Sequence, residues 1–231
     1  MTRTFDRRGL LKASSATLIG AVAMPGVLRA QQRVVKIGVL EPLTGNLAYN
    51  GTQSAAGAKF AAEALNAAGG IKSMGGAKIE LVIVAAQSRP EVAASSVDTL
   101  VEAGVCAFTG ATASALGLAS SQAAAKHNLA QVFSIGTAES VVDRGLPNAF
   151  RFTPGVNKCT NVALDNLKLL NESAGGIIKT AAIVHEDGPF GSNMAKILNE
   201  RLPSQGIKVV ETISHPTPHR DLSNIALRVK A

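Results

Sequence analysis

The chain has 231 residues, enough for one large domain or two small ones, and 46% of them are hydrophobic, so a sizeable core is within reach. Aromatics make up only 3% and Trp is absent, so that core is mostly Ala, Val, Leu and Ile. The net charge of +7 is concentrated early: residues 1–30 hold five basic residues and one acid, leaving 18 basic and 15 acidic residues without a basic run, which gives no case for a nucleic-acid partner.

Residues 1–30 read as an export signal. Arg7-Arg8-Gly9-Leu10-Leu11-Lys12 has the look of a twin-arginine pattern, and an apolar run follows from Ala16 to Ala23. That run is too short to span a bilayer stably. Cleavage is expected after Ala30, with Ala23 as a second candidate. The general secretory route and a plain basic tail are the alternatives. An exported signal predicts a periplasmic protein.

The mature part alternates between strands and helices. Val34 to Leu40 reads as a buried strand, stopped by Pro42. A polar turn, Leu43-Thr44-Gly45-Asn46, leads to a helix over 54–68 with Ala58, Ala61, Leu65 and Ala68 inward and Gly69-Gly70 as its stop. A strand is expected over 79–84, a helix over 90–103 with Pro90 in its first turn, and a third strand over 105–108. The small residues from Gly110 to Ser114 turn into a helix that runs to about Lys126, and Ala130 to Phe133 is a fourth strand. Near-continuous apolar strands alternating with helices predict an α/β fold with a parallel sheet covered on both faces.

A boundary is expected where a short strand ends at Pro154-Gly155. The alternation then restarts: a helix over 157–173 with Ala163, Leu167 and Leu170 inward, a strand over 180–185, a helix over 191–202 with Met194, Ile197 and Leu198 inward, and a strand over 208–213. Asp221 is placed to cap a last helix carrying Leu222, Ile225 and Val229. This second unit is expected to contain about three strands. Cys106 and Cys159 fall in different units and are expected to be buried or half-buried free thiols.

An enzyme would need a recognisable site. There is no G-x-G-x-x-G after the first strand, no phosphate-binding G-x-x-x-x-G-K, no G-x-S-x-G and no metal-ligand spacing. His215 and His219 flank two prolines and make a weak metal pair. No cofactor is implied.

The order of motifs resembles the solute-binding proteins of branched-chain amino acid type ABC importers, which have the type I periplasmic binding fold. The residues that carry the resemblance are Ile37-Gly38-Val39 with Pro42-Leu43-Thr44-Gly45, then Gly57-Ala58, Asn66 to Ile71, Gly110-Ala111 with Ser114, Thr137, Phe150-Arg151, His185-Glu186-Asp187 and Phe190-Gly191. No single motif is specific, but their order runs from residue 34 to 231. The resemblance implies two α/β lobes, the first at 31–152 and a partial second at 153–231, with a small ligand in the cleft between them and the importer's permease subunits as partners. It also implies that family members are longer, so a chain of this length is expected to bind ligand weakly. A truncated product without transport function and a small-molecule sensor of the same fold are the rival readings.

The resemblance points to eight candidate ligand residues. The start of the helix after Gly110, at Ala113-Ser114, offers unpartnered amides and a positive dipole end to a carboxylate, and Ser114 adds a hydroxyl. The family's ligand serine aligns with Ala113, one position earlier, and Ser114 as a helix cap is the alternative. Thr137, with the backbone of Ile135 and Gly136, forms the second half of that grip. An aromatic ring is common in the family where Asn50 stands, so Tyr49 either turns its ring to the ligand or is an exposed loop tyrosine. Phe190 either packs on the ligand or anchors its helix. The family's paired acids after the second strand are replaced by Ala85-Ala86. Glu186 and Asp187 end a strand at the cleft and are expected to be structural. The ligand class is a branched-chain amino acid or a similar small amide or carboxylate, including aromatic acids.

Overall fold

The computed structural model describes residues 33–218 and 221–230. The expected export signal over 1–30 and His219 therefore lie outside the described residues. Five strands form one parallel sheet: β1 (Val34–Glu41), β2 (Lys78–Ala85), β3 (Ala107–Gly110), β4 (Ala130–Phe133) and β5 (Ala149–Arg151), in the order β2-β1-β3-β4-β5. A second, two-stranded parallel sheet pairs β6 (Thr180–Glu186) with β7 (Lys208–His215). The helices are α1 (Ala48–Ala67), α2 (Pro90–Glu102), α3 (Ser114–Ala125), α4 (Val156–Ser173), α5 (Pro189–Arg201) and α6 (Ser223–Lys230).

The strand order fixes where a crevice can form. β1 has β2 on one side and β3 on the other. The winding thus changes direction at β1, and the loops after β1 and β3 leave the sheet's C-terminal edge toward opposite faces. Such a switch point is where open α/β sheets bind ligands. Gly110 serves this geometry directly. It has φ +125°, and a Cβ there would lie 2.0 Å from the Leu40 carbonyl oxygen. Only glycine lets the loop leave so close to β1.

One face of the sheet carries the main core. Leu40 and Phe108 pack with Ala93, Val97 and Leu100 of α2 and with Leu116 and Ala124 of α3. On the other face, α1 buries Gly51, Ala55 and Ala62. The expected inward stripe was one of Ala58, Ala61, Leu65 and Ala68. Of these, Ala58 is half-buried and the other three are exposed, and the helix starts at Ala48 instead of 54. The reason is closeness: a Cβ on Gly51 would lie 2.2 Å from the Pro42 carbonyl, so the helix sits on its smallest residues and turns Phe60 and Leu65 outward. The sheet is flanked by helices as expected, and among the described residues Val132 and its register partner Phe150 are left exposed at β4 and β5.

The second sheet packs Ile183 against Val156 and Leu164 of α4 and Ala195 and Ile197 of α5. Met194, Ile197 and Leu198 face inward as expected, but α4 buries Val156, Thr160 and Leu164 and leaves Ala163 and Leu170 exposed. Among the described residues the second unit has two strands, β6 and β7, where about three were expected. Asp221 accepts a hydrogen bond from the Ser223 amide at 2.9 Å, in keeping with its capping role. Both cysteines are free, and both are exposed rather than buried. Cys106 immediately precedes β3, at the N-terminal edge of the sheet. Among the described residues, no helix is long and apolar enough to cross a membrane.

Candidate functional site

The C-terminal edge of the first sheet collects most of the candidates. Ala113 is the N-cap of α3 and Ser114 its first residue, and no side chain caps this helix. Ser114 is buried. Its Oγ accepts a hydrogen bond from the Ala138 amide at 3.1 Å. This hydroxyl therefore ties the start of α3 to the loop after β4 and does not cap its own helix. Gly136 closes the same gap: the point where its Cβ would lie is 3.6 Å from both the Ala111 carbonyl oxygen and the Ser114 Cα. The structure thus brings Ala113, Ser114, Gly136 and Thr137 together. Ile135 is 47% exposed beside them, an apolar surface at the crevice edge.

Beneath these loops lies Glu41, the last residue of β1 and fully buried. Its Oε1 accepts hydrogen bonds from Ser54 Oγ at 2.7 Å and Ser134 Oγ at 2.8 Å. Its Oε2 accepts from the Thr112 amide at 2.9 Å and from Thr112 Oγ1 at 2.6 Å. A second buried polar side chain, Gln131, spans the same region. It donates to the Gly110 carbonyl at 2.8 Å and accepts from Ser120 Oγ at 3.0 Å.

Tyr49 and Asn50 lie in the first turn of α1, both exposed, with the tyrosine 77% accessible. No hydrogen bond joins them to the α3 loop. The loop before them is fastened to the loop after β2 instead: Ser88 Oγ donates to the Thr44 carbonyl at 2.7 Å and accepts from the Leu47 amide at 3.1 Å.

Phe190 is 40% exposed in the first turn of α5. Glu186 caps this helix, accepting from the Gly191 amide at 2.6 Å and from the Gly188 amide. Its carboxylate is thereby spent on structure. One turn beyond Phe190, Asn193 Oδ1 accepts from the Glu139 amide at 3.4 Å. That contact sets the start of α5 beside the loop that carries Thr137.

An ion pair organises the same junction. Arg151, on β5, donates from Nη2 to Glu139 Oε2 at 2.8 Å and from Nη1 to the carbonyls of Thr137 and Ala138 at 3.0 Å each. Glu139 Oε1 accepts from the Asn157 amide at 2.9 Å in the first turn of α4, and the Thr137 carbonyl accepts from the Val156 amide at 2.8 Å. Burial pushes the Glu139 carboxyl up, but the Arg151 guanidinium and the Asn157 amide outweigh it and hold it below its ordinary value. A separate polar groove of about 310 Å³ runs between α4 and α5 past Asn161, Lys196 and Arg201, and none of the candidates lines it.

A profile described as "periplasmic binding protein" matches residues 34–231. The chain belongs to the periplasmic binding protein family. The Leu/Ile/Val-binding protein homolog 8 of Brucella abortus is 30% identical over 226 residues, covering 94% of this chain and 55% of its own length. Among solved structures, the branched-chain amino acid transporter substrate binding protein LivJ from Streptococcus pneumoniae, in complex with isoleucine, superposes with a TM-score of 0.71 at 24% identity, covering 86% of this chain and 54% of its own. A solute binding protein of an R. palustris ABC transporter, in complex with benzoate, gives a TM-score of 0.72 at 20% identity over 85% and 52%. The chain spans about half the length of the relatives it matches. These likenesses agree with the branched-chain amino acid type expected from the motif order and with the type I periplasmic binding fold.

Glu41, Thr112, Ser134 and the Arg151–Glu139 pair were absent from the sequence-based candidates. One signal was available for Glu41: an acid ending an otherwise apolar strand. Nothing local marked its partners, which come from three other segments.

Proposed function

We propose that this chain is part of an exported solute-binding component of an ABC importer, which takes a small carboxylate-bearing solute such as a branched-chain amino acid and hands it to membrane permease subunits. In this reading residues 1–30 direct export and are removed, residues 31–152 form the first lobe, and residues 153–231 belong to the second. The observation that carries it is the meeting of two loops at the uncapped start of α3, where Ser114 Oγ and the Ala138 amide are 3.1 Å apart. Helix-start amides and a neighbouring turn of backbone suit a carboxylate. The ligands named for two solved relatives, isoleucine and benzoate, share that group and little else. Ala113, Ser114, Ile135, Gly136 and Thr137 would grip the carboxylate end, while Tyr49, Asn50 and Phe190 line the remainder.

The test is an amide chemical-shift titration of the ¹⁵N-labelled chain with isoleucine, leucine and benzoate at millimolar concentration. Saturable shifts concentrated at residues 112–116 and 135–138, with smaller ones at Tyr49, Asn50 and Phe190, are expected from at least one of them. No shift from any, or shifts spread evenly over the chain, would overturn the reading.

A further inference from the structure

The buried acid that no ligand role uses is Glu41. It is fully buried, and among the described residues no cation forms an ion pair with it. A carboxylate out of water is costly unless its oxygens are satisfied. Here they are, by the three hydroxyls and one amide described above. Two donors on each oxygen fill the acceptor positions of an ionised carboxylate. The donors come from three separate segments: α1, the loop after β3 and the loop after β4.

These are the segments that carry the crevice. Ala113 and Ser114 follow Thr112 directly. Ile135, Gly136 and Thr137 follow Ser134 directly. Tyr49 and Asn50 stand about one turn before Ser54 on α1. Every candidate except Phe190 thus lies within five residues of a donor to Glu41. We propose that Glu41 is the positioning residue of the crevice. Its carboxylate holds the loops over 110–114 and 134–138 in one fixed relation, so that the start of α3 and the backbone around Thr137 face a common ligand. The proposal rests on the crevice reading above, but its test needs no ligand.

The experiment is hydrogen–deuterium exchange by mass spectrometry on the full chain, comparing wild type with Glu41→Ala and Glu41→Gln. Alanine removes the acceptor for four bonds. Hydrogen bonds to a charged group are strong enough that exchange over 110–118 and 134–138 is expected to speed up by about 10- to 100-fold. Peptides from α2 and β6 are the internal controls and stay unchanged. Glutamine keeps one carbonyl oxygen for Thr112 and lets the serine hydroxyls reverse toward its amide, so it retains most of the protection. Unchanged loops in Glu41→Ala, or faster exchange spread equally over the controls, overturns the proposal. Should Glu41→Ala fail to fold, Ser134→Ala replaces it. Deleting that single donor is expected to speed exchange across 110–114, in the other loop, and no effect there overturns the proposal. Failure of the ligand titration with these exchange results intact would sink the ligand assignment alone.

Discussion

Arg151→Ala tests the physical account of the junction most severely. The arginine side chain is 9% exposed and its partner Glu139 is 21% exposed. Its removal strips the salt bridge from a mostly buried carboxylate and the side-chain donor from the Ala138 carbonyl. The Thr137 carbonyl keeps the Val156 amide, and Glu139 keeps the Asn157 amide. Breaking a fully buried pair costs about 3–5 kcal/mol. Glu139 retains some contact with water, so about 2–3 kcal/mol is the expected loss. Urea unfolding followed by circular dichroism would read this as a midpoint lower by about 1–1.5 M, for a slope of about 2 kcal/mol per molar. The double variant Arg151→Met with Glu139→Gln removes both charges together and should recover to within about 1 kcal/mol of wild type. A loss below about 0.5 kcal/mol for Arg151→Ala would refute the reasoning. So would a double variant no better than the single.

The same pair sets a pH response. The Glu139 carboxyl is lower in the folded chain than its ordinary value of 4.5, so its contribution is present above that value and is lost as pH falls through the folded-state pKa. Acid unfolding curves of Glu139→Gln should therefore be flatter than wild type below about pH 4.5, and identical slopes would remove the pair from the account. Gly110→Ala places a Cβ 2.0 Å from the Leu40 carbonyl at φ +125°, and is expected to cost more than about 3 kcal/mol or to prevent folding, read by the yield of soluble chain and its thermal midpoint. Phe108→Ala, in the main core, should cost about 3–5 kcal/mol in the same assay. Cys106 and Cys159 should both react with a thiol reagent without denaturant, and a thiol that reacts only after unfolding would contradict its exposure.

Elements whose signals are local were legible in the chain itself. Pro90 opens a helix, and the glycine pairs at 69–70 and 175–176 follow helix ends, whereas the helix expected from Gly191 begins two residues earlier, at Pro189. Apolar runs separated by helical spacing were enough to expect parallel strands. Which side of a helix faces inward was less legible. In α1 the apolar count favours Leu65, but the approach to Pro42 admits only small residues, and the helix rotates to present Gly51 and Ala55. In α4, every third or fourth position is apolar on more than one stripe, so the choice between Leu164 and Leu170 waits on where the sheet lies.

The candidate site divides along the same line. Residue order alone was sufficient for the α/β class, for the family and for the loops after the strands, because these follow from short-range patterns repeated along the chain. The role of each side chain in those loops was decided by tertiary structure. Ser114 reads as a free hydroxyl until the loop carrying Ala138 arrives beside it. Glu41 reads as an acid at the end of a strand until Ser54, Thr112 and Ser134, up to 93 residues away, converge on it. A hydrogen bond depends on positions in space to within a fraction of an ångström, and no local pattern encodes those.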